Sequence, residues 1–378
     1  MRYYLSAGCA LKSLETPGAY VMGSDELYEL DAEGFGFLRK CARREGCEAG
    51  DLEGEFIEYC LAEGILEERP VEVRRPPLEE SGSPSLRYLE LQVTRRCNLS
   101  CGHCYLGHQR DVELSVGEIR MILEEFQAMQ GLRFLITGGE PLLHRRFGEI
   151  NAMLPDYALR TVLFTNGTLL DAKVLGTLNV HEVQVSIDGL EEAHDALRGK
   201  GSFRRTLRGA RAALEAGFDV SVSTMVHAAN LEDFEGMRAL FSEMAIREWS
   251  VDVPCPEGNM RENSAVALPP ETAGRYLGYG FEGGLHGGGE GFACGLHLMS
   301  VTAEGYCAKC AFYAEEPVGH WREGLSECWR RIRPVRLAEL DCDCEAADAC
   351  RGGCRYRAAC FGDPLSKDPY RCALYGKL

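Results

Sequence analysis

Six short runs of apolar and β-branched residues punctuate the middle of the chain, at 87–93 (RYLELQV), 132–136 (LRFLI), 160–164 (RTVLF), 182–187 (EVQVSI), 219–224 (DVSVST) and 246–253 (IREWSVDV). Between them apolar positions recur at helical spacing. The clearest helix opens at Ser115, where Glu118 completes a capping box, and Ile119, Ile122, Leu123, Phe126 and Met129 then share one face. Another covers about 203–216 and stops at Gly217. Six strand-then-helix units predict a parallel sheet, either doubly wound or a partial barrel. Both architectures place chemistry at the C-terminal ends of the strands.

The flanks break this rhythm. In residues 1–72, "AYVMGSDELYEL" predicts two strands around a polar turn. Phe35, Leu38 and Cys41 then line one helical stripe, and Leu52, Phe56 and Cys60 a second one closed by Gly64. This is a small α+β unit, much like a winged helix. Pro, Ser and charge crowd 69–85, and residues 73–86 read as a linker to the alternating region, 87–285. From 286 to 378 the chain is irregular and cysteine-rich. Seven glycines within 280–292 suggest a flexible connection or lid, and that run lacks the strand-to-helix setting of a dinucleotide fingerprint.

Composition narrows the function. Among 378 residues the formal charge is −17, and the short basic run 330–336 reads as a solvated face, so nucleic acid is not an expected partner. No 18-residue apolar run is present and the first residues carry no secretory pattern, so a cytoplasmic protein without membrane contact is expected. Eighteen cysteines are then too many for chance. Clustered cysteines in a reducing compartment point to metal or iron–sulfur ligation. Four near the N-terminus (Cys9, Cys41, Cys47, Cys60) read as buried apolar thiols.

Three cysteines, Cys97, Cys101 and Cys104, stand in "RRCNLSCGHCYLG" directly after the first strand. Three thiolates can hold three irons of a [4Fe–4S] cube and leave the fourth iron open. A zinc knuckle with His103 or His108 as fourth ligand is the alternative. The C-x3-C-x2-C loop resembles that of the radical S-adenosylmethionine (SAM) superfamily, and further motifs follow in family order. They are "ITGGEP" (136–141), "FTNGT" (164–168), "VSIDGL" (185–190) and "HDALRGKGSF" (194–203). The resemblance implies a partial (β/α)6 TIM-like barrel whose cluster is chelated by SAM. It also implies SAM contacts from Gly138, Gly139, Glu140, Pro141, Asn166, Ser186, Asp188 and Arg198, the last as partner of the SAM carboxylate.

The tail resembles the SPASM extension, which carries two auxiliary iron–sulfur clusters, expected to be [4Fe–4S]. By resemblance Cys294, Cys310 and Cys354 hold the inner one; its fourth ligand stays open between Cys307, nearest in sequence, the spares Cys255, Cys328 and Cys360, and an open iron. Cys342, Cys344, Cys350 and Cys372 hold the outer one, although "DCDC" shortens the family's leading pair. The first 72 residues resemble the PqqD-like peptide-recognition domain. The whole then implies a maturase of ribosomally made peptides, forming a thioether or other crosslink, an epimer or a decarboxylated product. Its partners would be a precursor peptide and a flavodoxin- or ferredoxin-type reductant. A SPASM enzyme acting on a tetrapyrrole or protein side chain, or a non-catalytic iron–sulfur or zinc peptide-binding protein, would share many of these features.

Overall fold

The structure is a computed structural model and describes residues 1–48, 54–281 and 291–378. Leu52 and most of the glycine-rich run lie outside those residues. The N-terminal unit contains β1 (Arg2–Leu5), β2 (Cys9–Ser13), β3 (Pro17–Val21), β4 (Glu26–Glu29), β5 (Cys47–Glu48) and β6 (Leu66–Glu67). They form two antiparallel sheets, ordered β5-β1-β6 and β2-β3-β4. Two helices, Ala32–Cys41 and Gly54–Ala62, complete it. Asp31 caps the first by accepting from the Gly34 amide at 2.7 Å. The buried stripe differs from the expected one: Gly34, Phe37, Leu38 and Cys41 are buried, while Phe35 is half-exposed. The reason is the second helix. Its Phe56 ring lies against Gly34 and meets Phe37 edge-on at 6.4 Å, which rotates the first helix about its axis. Cys9, Cys41 and Cys60 are buried apolar thiols as expected, and burial raises all three. Cys47 is half-exposed.

Six parallel strands follow: β7 (Tyr88–Thr94), β8 (Arg133–Gly138), β9 (Arg160–Thr165), β10 (Glu182–Ser186), β11 (Asp219–Met225) and β12 (Glu248–Asp252). Each pairs with its sequence neighbour in parallel. A doubly wound sheet would reverse strand order in the middle. Here the order runs straight through, which is the order of a partial barrel. The capping box at Ser115 and Glu118 is present, and the expected second helix spans Ser202–Glu215. Beyond β7 the sheet gains β13 (Leu298–Val301), β14 (Tyr306–Ala308) and β15 (Gly319–His320) from the cysteine-rich segment. Alternation sorts the two faces. Leu89, Leu91, Val93, Val183, Val185, Trp249, Met299 and Val301 pack outward against the helices in the main core. Tyr88, Leu135, Val162, Phe164 and Leu298 gather on the concave face.

The linker is held rather than free. Arg75 donates to the carbonyls of Leu5, Ser6 and Cys9, and the Ser81 amide to Ser13. The N-terminal unit docks on the barrel at the starting ends of the strands. Buried Lys12 donates to the Gly131 and Ala158 carbonyls at 2.6 and 3.0 Å. Fully buried Arg160, first residue of β9, donates to the Met22 and Gly23 carbonyls and to Glu182 and Asp219, all at 2.8–2.9 Å. Removing that guanidinium would strand buried Glu182 without its cation, while Asp25 keeps Arg133. Arg160→Met is therefore expected to lower stability by about 3–5 kcal/mol. It should also expose residues 73–86 to limited proteolysis. Unchanged denaturation and cleavage would show that the docking does not depend on this residue.

Candidate active site

The cysteine loop leaves β7 at its C-terminal end. The thiols of Cys97, Cys101 and Cys104 are half-exposed, and the Leu99 amide donates to the Cys97 sulfur at 3.4 Å. Asn259 fixes the far side of the loop: its side chain donates to the Cys101 carbonyl and its amide to that of Cys104, both at 2.9 Å. Burial, aided by Glu140 and the other two thiols, pushes Cys97 up to about 11. Three such thiols can be thiolates together only beside a compensating positive group, which the irons of a cube supply. Among the described residues no three metal-binding side chains converge on a single ion. The thiols of a cube instead occupy separate corners.

The turn after β8 packs straight onto this loop. The Gly139 amide donates to the Thr94 carbonyl and the Glu140 amide to that of Arg96, both at 2.8 Å. A side chain on Gly138, which sits at φ +150, would come within 2.3 Å of the Thr94 oxygen, and one on Gly139 within 2.5 Å of the Arg96 oxygen. The close approach that requires glycine is thus to protein backbone, where the sequence suggested a ligand. Gly139→Ala should push residues 94–97 away, cost about 1–3 kcal/mol, and lower the iron recovered on reconstitution. Full iron content with wild-type stability would contradict this. Glu140 is wholly buried and accepts from the Thr165 hydroxyl and the Asn166 amide at 2.9 Å and from the Leu142 amide at 3.3 Å. Burial pushes its carboxyl up to about 7 against those donors. Pro141 opens the short turn behind it.

Asn166, at the end of β9, bridges to the cysteine loop: its amide donates to the Asn98 side chain at 2.9 Å and lies 4.0 Å from the Cys97 sulfur. Asn98, unflagged by the sequence, also donates to Thr168 at 2.8 Å, so the loops after β7 and β9 are stitched together. Only its place between two cysteines of the motif could have signalled this.

Ser186, half-exposed, ends β10 on the concave face. Asp188 departs from expectation. It is wholly buried, pairs with Arg198, stands 3.5 Å from His103, and accepts from the Met225 amide at 2.7 Å. Burial alone would raise its carboxyl, but Arg198 and then His103 hold it far below the usual range. Its carboxylate holds Arg198. Arg198 lies close enough to Cys101 to favour its thiolate form, and its side chain is 11% exposed. His103 is buried in this network, and burial pulls it down to about 4. His108 is exposed. His227 bonds the Asp188 carbonyl at 2.8 Å, a packing role, while Asp252 and Glu257 reach Arg357 and Tyr356 in the tail.

In the tail, Cys294, Cys310 and Cys354 lie within electrostatic reach of one another, with Tyr313 beside them. Cys307 is not among them. It points to the opposite face of the sheet, fully buried in the main core next to Cys328. The cause is period two: with Leu298 and Cys310 on the concave side, β14 turns Cys307 outward. Cys342, Cys344, Cys350 and Cys372 line one cavity of about 240 Å³ with Lys367, Arg371 and Lys377. Amides of Ala346 and Gly352 donate to the Cys344 and Cys350 sulfurs at 3.4 and 3.3 Å, as cluster thiolates require. Four thiols on one cavity, which Asp343 and Glu345 also line, fit a cluster despite the shortened DCDC pair.

Comparison with known proteins returns one consistent group. A profile described as the Radical SAM superfamily matches residues 91–241. The AdoMet-dependent heme synthase of Methanosarcina barkeri is 30% identical over 335 residues, covering 75% of this chain and 95% of that protein. The mycofactocin maturase MftC of Mycolicibacterium smegmatis is 26% identical, covering 75% of this chain and 82% of that one. Among solved structures, SuiB of Streptococcus suis bound to precursor peptide SuiA superposes with a TM-score of 0.69 at 14% identity, covering 98% of this chain and all of SuiB.

Proposed function

The chain belongs to the radical SAM superfamily, and from that premise we propose that it modifies a ribosomally made precursor peptide captured by its N-terminal unit. It is a SAM-dependent iron–sulfur enzyme. Cys97, Cys101 and Cys104 would hold the SAM-binding cluster, which supplies the electron that splits SAM to a 5′-deoxyadenosyl radical. Arg198, held by Asp188, offers its remaining N–H groups to the SAM carboxylate. Glu140 locks the turn after β8 against β9, so that Gly138, Gly139 and Ser186 stand at a fixed rim. In the tail, Cys294, Cys310 and Cys354 suit an inner auxiliary cluster, and the four thiols of the outer cavity a second. The protein's part is positioning and exclusion of water.

One observation carries the peptide reading. The edge of β2 is covered by Arg75 and Ser81, but the outer edge of β4 pairs with no strand among the described residues. Beside it runs helix Gly54–Ala62, where exposed Tyr59 meets Tyr28 of β4 edge-on at 5.9 Å. An open strand beside an aromatic helix face suits capture of an extended peptide by strand addition. The likeness to SuiB in fold, including this unit, and to a mycofactocin maturase in sequence support it. The heme synthase relative supports a second reading, a tetrapyrrole substrate, in which the N-terminal unit has another task.

Anaerobically reconstituted protein should be given SAM, a reductant and a short peptide encoded beside its gene, with 5′-deoxyadenosine and the peptide's intact mass recorded together. Deoxyadenosine with an altered peptide mass is the expected result. Deoxyadenosine with an unaltered peptide, and turnover of an iron tetrapyrrole instead, would replace the peptide reading with the second.

A further inference from the structure

The concave wall of the barrel carries a polar notch that none of the motifs explains. Glu90, in the middle of β7, points away from the main core because its neighbours Leu89 and Leu91 point into it. In the parallel ladder Glu90 stands level with Leu135 on one side and Ser300 on the other, so the three side chains share a row. The row below holds Leu298, Tyr88 and Arg133, the Arg133 guanidinium 5.4 Å from the Tyr88 ring. Above stands Gln92, whose amide reaches the Tyr105 hydroxyl at 3.4 Å.

Both polar members of the row lack partners. The Glu90 carboxylate forms no hydrogen bond or ion pair with another described residue, and the wholly buried Ser300 hydroxyl has none either. Unpaired polar groups inside a protein are costly and uncommon. A sheet interior built for stability alone would carry Val or Leu here, as its neighbours do. Glu90 remains half-exposed although burial pushes its carboxyl up to about 7. A group that is desolvated yet touches accessible space lines a concavity. Cys310 lies within its electrostatic reach.

We propose that Glu90 and Ser300 form a subsite for a primary ammonium group of the substrate, Glu90 accepting its charge-assisted hydrogen bond and Ser300 a second one. This rests on the reading that substrate enters the barrel from the strand-end face. The unpaired Glu90 carboxylate favours a cation over the carboxylates of a tetrapyrrole, and Tyr88 and Leu298 in the row beneath suit the alkyl stem of an amine-bearing side chain.

The test uses n-propylammonium and its acidic counterpart, propionate, on the reconstituted full chain, with ligand proton relaxation as the readout. Wild-type protein should bind propylammonium about tenfold more tightly than propionate, Glu90→Gln should weaken it about tenfold, and Ser300→Ala about threefold to fivefold. Glu90→Asp should retain part of the binding. If Glu90→Gln fails to fold, the Ser300→Ala comparison decides alone. Equal binding by wild type and variants, preference for propionate, or no binding of either probe overturns the subsite. A peptide left unmodified in the activity assay would count against peptide maturation and leave this binding readout intact.

Discussion

Cys97→Ala is expected to abolish 5′-deoxyadenosine formation, by at least about 10³-fold, or roughly 4 kcal/mol of barrier, while iron in the tail persists. The size of the loss follows from the loop's construction. On the proposed ligation each of the three thiols would hold one corner of the cube, and no other cysteine lies in the loop. Cys97 also has the Leu99 amide and the Asn166 side chain directed at its sulfur, so no neighbour is placed to substitute. Cys307→Ala is the matched control. Its thiol packs in the outer core, so it should keep full iron content and activity and lose only about 1–2 kcal/mol of stability to the small cavity. Retained SAM cleavage in Cys97→Ala, with iron quantified, would refute the ligand assignment.

The second large effect is expected from Asp188→Asn. Arg198 and His103 both lean on this carboxylate, and Arg198 has no other acidic partner among the described residues. Neutralising it leaves a guanidinium beside the cluster without its counter-charge, a loss of about 3–5 kcal/mol. Because the folded-state pKa of Asp188 is depressed, its stabilisation is complete above the ordinary aspartate value of about 3.9 and fades as pH falls below it. Denaturation midpoints of wild type and variant should therefore differ fully at pH 7 and converge in acid. SAM cleavage should fall as well, since a displaced Arg198 would leave Cys101 and, on the proposed binding mode, the SAM carboxylate. A constant gap down to pH 2 would show that Asp188 is not the group responsible.

The barrel was legible because its signal is periodic. Runs such as LELQV and VQVS alternate between core and lumen, and the capping box at Ser115 marks a helix start that tertiary packing had no cause to move. What escaped were choices made across elements. Nothing local distinguishes Phe35 from Phe37; the Phe56 ring on another helix decides. Cys307 looked like a ligand by proximity to Cys310, yet sheet alternation separates the two onto opposite faces. Asp188 stood in a motif position and is nonetheless interior, because Arg198 ten residues on folds back over it. The glycines of ITGGEP were readable as a place of close approach, but not what approaches.

The docking of the N-terminal unit at the starting ends of the strands has one further consequence. The cysteine loop lies at the other end of β7, seven residues away, or about 23 Å at 3.3 Å per residue. A segment gripped on the edge of β4 must pass around the outside of the barrel to reach that rim. On the proposed capture of a peptide the geometry would work as a ruler: residues closer to the gripped segment than about seven positions would not arrive, and inserting or deleting spacer residues should move the modified position along the substrate.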